Sequence, residues 1–211
     1  MAFDRPVLTR TSGLRFSKLL GTGRGSGMGL GADLRRWALF AVWDDDAALE
    51  EFLAGSPIPA RWREAGQETW SVRLGYAGGH GQWGGRDPFA GLTPRPVPPG
   101  RPVAVLTRAA IRARRLRRFY RAVPAVDHSL AAADGCLAAV AAGEWPLARQ
   151  ATFSLWRDAA AIRDFAYAPG AHQAVIFRTR AEDWFAEECF ARFTPYASAG
   201  SWNGADPLCA A

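Results

Sequence analysis

The chain carries one pattern twice, and that repetition limits what it can fold into. Residues Ala38–Trp43 (ALFAVW) align with Ala151–Trp156 (ATFSLW). An acidic turn follows each, at Asp44–Asp46 and at Arg157–Asp158, and then a helical stretch carrying Phe52 or Phe165. Farther along, Trp70 corresponds to Trp184, and Gln82-Trp83-Gly84-Gly85 to Ser201-Trp202-Asn203-Gly204. The offset grows only from 113 to 119 residues, so a few small insertions separate the copies. A period this long is no solenoid repeat; it predicts two domain-sized halves packed together.

Between the halves, Asp87–Pro102 holds six of the fourteen prolines and reads as a semi-rigid linker. The halves are therefore residues 1–92 and 101–211. In the second, Val103–Thr107 reads as a strand and Ile111–Val123 as a helix. Cys136–Ala142 and Arg149–Trp156 read as a hairpin, Asp158–Tyr167 as a helix, and Ala181–Phe193 as a short helical piece entering a closing strand. That order is the β-α-β-β-α-β of a ferredoxin-like unit. The first half shows the hairpin (Ser12–Leu20 and Leu34–Trp43) and the second helix (Asp46–Ala54), but no opening strand or long first helix. The expected fold is α+β: duplicated ferredoxin-like halves forming a dimeric α/β barrel, the first half truncated at its N-terminus. Such a barrel can enclose a flat apolar ligand.

Composition supports a folded chain, with 49% apolar residues, nine Trp and twelve Phe. No apolar run approaches the ~18 residues of a membrane span, and no signal segment opens the chain, so a cytoplasmic location is expected. Cys136, Cys189 and Cys209 are odd in number and lack C-x-x-C spacing, which argues against a disulfide framework or a structural zinc site. The net charge of +6 rests on arginine, Lys18 being the single lysine. Seven arginines fall between Arg108 and Arg121, on a helix read either as a solvated face or as a dock for an acidic protein or anionic surface. Nucleic acid is not expected, because aromatic residues do not alternate with these arginines as stacking platforms.

The glycine-rich Gly21–Gly31 has no G-K-[ST], and a strand rather than a helix follows it, so it reads as a hairpin loop rather than a phosphate cradle. Of the three histidines, His80 sits in a glycine loop, His128 follows Pro124-Ala125-Val126-Asp127 as a neighbour of a helix cap, and His172 lies just past a helix at the start of an apolar stretch. On spacing alone each reads as structural, and no His/Asp/Glu cluster points to a metal held by protein ligands only. Chemistry here would come from an organic cofactor.

Several segments in order resemble the bacterial spheroidene monooxygenases of acyclic carotenoid biosynthesis. They are Leu20–Gly23, Leu106–Ala109 with Ile111-Arg112, Phe153–Trp156, Arg180–Glu188, Ala191–Phe193 and Gly200–Trp202, with His172 among them. The most specific is R-A-E-x-W-F-x-E-E-x-x-A-R-F. The resemblance implies a haem-dependent monooxygenase that uses dioxygen and electrons from a ferredoxin-like donor to convert C-2 of a carotenoid end group into a ketone. It implies haem b, with His172 as the axial ligand of its iron and His128 as the runner-up. It also implies an apolar substrate, at most peripheral contact with a membrane, and a homo-oligomer as one option. Two other classes remain: a haem enzyme of the aldoxime-dehydratase type acting on a small nitrogen-containing substrate, and a non-catalytic binding protein on the same fold.

Overall fold

The computed structural model describes residues 2–23, 32–145, 148–167 and 171–209. In chain order these form α1 (Arg5–Leu8), β1 (Leu14–Gly23), β2 (Ala32–Trp43), α2 (Asp46–Gly55), α3 (Pro57–Ala65), β3 (Trp70–Gly81) and β4 (Val103–Ile111). There follow α4 (Leu116–Ala131), β5 (Cys136–Trp145), β6 (Arg149–Trp156), α5 (Ala159–Tyr167), α6 (Ala171–Ala181) and β7 (Phe185–Gly200). The fold is α+β. Its strands join in one antiparallel sheet in the order β2-β1-β5-β6-β4-β7-β3. Residues 103–200 supply the four adjacent strands β5-β6-β4-β7. Helix α4 crosses between β4 and β5, and α5 with α6 between β6 and β7, which is the connectivity of a split β-α-β unit. The earlier residues flank this block. Among the described residues β1 meets β5 at Gly21↔Gly143 and Thr22↔Ala142, whereas β3 runs beside β7 from Trp70↔Gly200 to Gly81↔Cys189.

The sheet curls around one core. Because side chains alternate faces along a strand, each strand sends one row inward. Phe16 and Leu20 come from β1, Phe40 and Val42 from β2, Tyr76 from β3, Leu106 from β4, Leu155 from β6, and Ala191 and Phe193 from β7. Helices cover the outward rows. Phe52 of α2 and Ile58 of α3 pack on Leu19, Leu39 and Trp43. Leu130 of α4 and Ala161 of α5 pack on Trp156, while Phe119 and Val123 of α4 pack on Trp184. No helix among the described residues is long and apolar enough to cross a membrane.

The same corner is built at two places. The Trp43 ring lies 5.0 Å from Phe52, and the Trp156 ring 5.0 Å from Phe165. Asp45 caps α2 by accepting from the Ala48 amide at 2.8 Å, and Asp158 accepts from the Ala161 amide at 2.9 Å. The carbonyls of Gly13 and Gly135 accept from the amides of Asp44 and Arg157, each at 2.8 Å. Gly135 has φ +80°, and a Cβ there would stand 2.6 Å from the Ala161 Cβ. Gly135→Ala should therefore cost about 1–3 kcal/mol in chemical denaturation. Gly13→Ala should act in the same direction, because its φ is +72° and its Cβ would strike Ala48. An unchanged midpoint in both variants would show that these corners relax freely.

Three sequence expectations need correction. Helix α4 begins after a short turn at Ala113–Arg115 and continues past Pro124 to Ala131. Pro124 removes one helical donor, but buried Val123 and Leu130 hold the helix against the sheet. Asp87–Pro102 does more than link: the Arg95 amide donates to the Tyr76 carbonyl at 2.9 Å, and buried Phe89 stacks on Tyr76 at 4.8 Å. Helix α6 starts ten residues ahead of the expected helical piece. Of the glycine-rich loop, residues 24–31 lie outside the described residues.

Candidate functional site

A cluster of charges sits inside the curl of this apolar sheet. Its origin lies in the inward rows. On β1 the row reads Phe16, Lys18, Leu20; on β4 it reads Ala104, Leu106, Arg108; on β7 it reads Glu187, Cys189, Ala191, Phe193. Each row is hydrophobic with one charge set into it, so pleating alone carries Lys18, Arg108 and Glu187 inward. Glu144 on β5 completes the group.

Arg108 is 2% exposed. Its guanidinium pairs with Glu187 and reaches Glu144 at 3.4 Å. Lys18 Nζ binds Glu144 at 2.9 Å, and the Trp83 indole donates to the same carboxylate at 2.9 Å. Glu187 also accepts from the amides of Gly84 and Gly85 at 2.8 and 2.6 Å, which pins the turn after β3. Burial by itself would raise both carboxylic acids. Hydrogen bonds from Lys18 and Trp83 outweigh it at Glu144, and the Gly84 and Gly85 amides with Arg108 outweigh it at Glu187, so both sit below the ordinary carboxylate value. Both therefore remain ionised at neutral pH, matched by two cations. The Arg108 guanidinium also lies over the Trp83 ring, 5.8 Å from its centroid. Its Nε is buried without a hydrogen-bond partner.

Aromatic side chains fill the space beside these charges. Trp83 stacks on Phe40 at 5.7 Å, and Phe89 lies 6.3 Å from Phe40 and 5.6 Å from Phe193. The arrangement offers no free general base. It is a neutralised polar centre that anchors the Trp83 turn in an aromatic interior. Cys189, next to it, has its thiol pushed up to about 11 by burial, so it stays protonated and is a poor thiolate ligand.

Sequence reasoning missed this cluster, although a lone charge inside an alternating apolar row was a legible signal. It also missed that the repeat extends further, to Asp87-Pro88-Phe89 and Asp206-Pro207-Leu208. The Trp83 amide donates to the Arg86 carbonyl and the Trp202 amide to the Ala205 carbonyl, each at 2.7 Å. Glu187 holds the first turn; Glu68 holds the second through the amides of Asn203 and Gly204 at 3.0 and 2.7 Å. Each turn is thus pinned by a carboxylate from the other half of the chain.

The expected site residues are not gathered here. His172 is the second residue of α6, and its side chain lies outside the described residues. His128 is exposed near the end of α4, and His80 is exposed on β3, 5.7 Å from the Phe190 ring. Among the described residues no group of His, Cys, Asp and Glu is arranged to hold a metal ion. Arg108, counted with the basic helix in the sequence, belongs instead to β4 and the buried interior of the sheet. The helix is also less basic than its sequence: Arg112 and Arg114 pair with Asp183 at 3.0 and 3.2 Å. Glu182 takes Arg118 at 2.7 Å and Arg178 at 3.4 Å. Hydrogen bonds from the Trp184 indole and from Arg118 hold the Glu182 carboxyl down at about 2.

No family model matches the chain. Curated relatives do. It is 35% identical over 208 residues to the spheroidene monooxygenase of Rhodobacter capsulatus, covering 99% of this chain and 86% of that protein. It is 39% identical over 192 residues to that of Rubrivivax gelatinosus, covering 91% and 73%. Against that of Cereibacter sphaeroides it is 35% identical over 195 residues, covering 92% of this chain but only 60% of the relative's length. A solved protein from Fusobacterium nucleatum aligns over 97% of this chain and 85% of its own at 11% identity and a TM-score of 0.45, which adds nothing to the sequence relationship. With these identities over nearly its full length, the chain belongs to the spheroidene monooxygenase family.

Proposed function

We propose that the protein is a haem-dependent monooxygenase acting on an apolar substrate, most concretely the end group of an acyclic carotenoid such as spheroidene, after which its relatives are named. The identity of 35–39% to three such proteins carries this reading. The placement of the matching segments supports it: Leu106 of β4 pairs with Phe153 of β6 on one side and Ala191 of β7 on the other, so three family-like segments lie side by side. We read the two corner motifs and the two pinned turns as traces of a duplicated ferredoxin-like unit.

The chain's own contribution is binding and exclusion of water. Phe16, Phe40, Tyr76 and Phe193 pack together into an aromatic interior from which water is excluded. Charge balance among Lys18, Arg108, Glu144 and Glu187 keeps the polar centre from competing for protons. The implied cofactor, haem b, activates dioxygen with electrons from a ferredoxin-like donor when it is bound. A haem face needs an apolar slot beside its axial donor. The family resemblance, not the geometry, puts forward His172 as the residue that would hold the iron; His80 and His128 are exposed.

The reaction would be two hydroxylations at one carbon, each consuming one dioxygen, two electrons and two protons and releasing one water, before the geminal diol loses water to leave a ketone. Purified protein supplied with haem, a reduced ferredoxin-type donor and an acyclic carotenoid should form that ketone only in the presence of dioxygen. Turnover of a nitrogen-containing substrate without dioxygen would replace this reading with a dehydratase.

A further inference from the structure

Helix α6 presents an aromatic side chain to solvent among cations. Val175 packs inward on the Trp184 layer, and Phe177, two residues on, falls roughly on the opposite side of the helix. Phe177 is 66% exposed, and Tyr167, which ends the neighbouring α5, is 73% exposed. Exposed Arg178 and Arg180 follow Phe177 in the chain. Beside them a cleft of about 280 Å³ opens between α4 and α6, lined by Arg118, Arg121, Ala122, Arg178 and Glu182. Three guanidinium groups face one carboxylate, so the cleft keeps a net positive charge even with Glu182 fully ionised. Arg117, Arg121 and Arg180 form no ion pair among the described residues.

We propose that the α4–α6 face docks the protein on an anionic phospholipid bilayer, with Phe177 and Tyr167 entering the headgroup layer and the cleft arginines taking phosphate. Aromatic rings set among arginines are the composition of interfacial membrane surfaces. The planar guanidinium fork suits phosphate oxygens. A second copy of this chain is a poor occupant, since a twofold contact would set the same arginines against themselves. The inference does not depend on the reaction proposed above, and its test reads no turnover.

The test is co-sedimentation of the full chain with phosphatidylcholine vesicles, with and without phosphatidylglycerol. Binding is expected only to the anionic vesicles, and is expected to weaken as salt shortens the ~8 Å screening length of physiological buffer. Phe177→Ser with Tyr167→Ser, and separately Arg121→Glu with Arg180→Glu, should each lower binding by at least about tenfold, the scale for removing several contacts with an anionic surface. All four are exposed positions, and circular dichroism checks that the fold is kept. Arg10→Glu with Arg63→Glu, exposed in the first half, should leave binding unchanged. Equal binding to neutral vesicles, no binding at all, or equal loss in the Arg10/Arg63 variant would overturn the proposal. Release by inorganic phosphate would reassign the cleft to a free anion. Capture of an acidic ferredoxin in place of vesicles, lost in the same variants, would reassign the face to a protein partner.

Discussion

Arg108→Met is expected to destabilise the protein by about 3–5 kcal/mol, because it removes the central cation from a buried ion network and leaves Glu187 and Glu144 undercompensated. Lys18 and the Gly84 and Gly85 amides would still serve the two carboxylates, which keeps the loss from being larger. Urea denaturation at neutral pH measures it. Adding Glu187→Gln to Arg108→Met should restore part of the loss, since the double variant no longer strands that charge. The pH dependence has a defined sign. Both carboxyls titrate below their ordinary value of 4.5 in the folded protein, so their contribution is fully present above about that pH and is lost as pH falls beneath it. Without Arg108 the depression shrinks, so the variant should lose less stability than the parent on acidification. A loss under about 1 kcal/mol at neutral pH would mean that the network behaves like a surface pair.

His172→Ala is expected to abolish the Soret absorption and reduce ketone formation by more than the ~10–100-fold that changes behind a metal ligand cost. His128→Ala should leave both intact, because His128 is exposed near the end of α4. Circular dichroism should report a folded protein in both cases, since most of the buried core comes from the sheet and from α2 to α5. Retention of the Soret band in His172→Ala together with its loss in His128→Ala would move the axial ligand to α4. Retention in both variants would leave His80 as the one histidine able to serve, and retention in His80→Ala as well would remove histidine ligation from the reading.

Much of the local architecture follows from short-range chemistry. Alternating rows such as Phe16-Lys18-Leu20 fix which side chains share a face, because successive strand residues point to opposite sides. The indole–phenyl corner and its aspartate cap recur because the residues that build them recur, at Trp43, Asp45 and Phe52 and again at Trp156, Asp158 and Phe165. Family membership was legible for a related reason, since motifs such as Arg180–Glu188 are contiguous in the chain.

Neighbourhood across strands was not legible. Periodicity says that Lys18, Arg108 and Glu187 face inward, but not that β1, β4, β5 and β7 bring them together inside one curled sheet. That outcome depends on strand order and register, which are set by the packing of the whole sheet rather than by any single segment. The basic helix shows the same divide. Its arginines are plain in the chain, yet Asp183 and Glu182, brought beside them only by folding, neutralise part of that face and leave Arg117 and Arg121 as its exposed remainder. Charges act through space over a few ångströms, and only the folded chain sets which of them come that close.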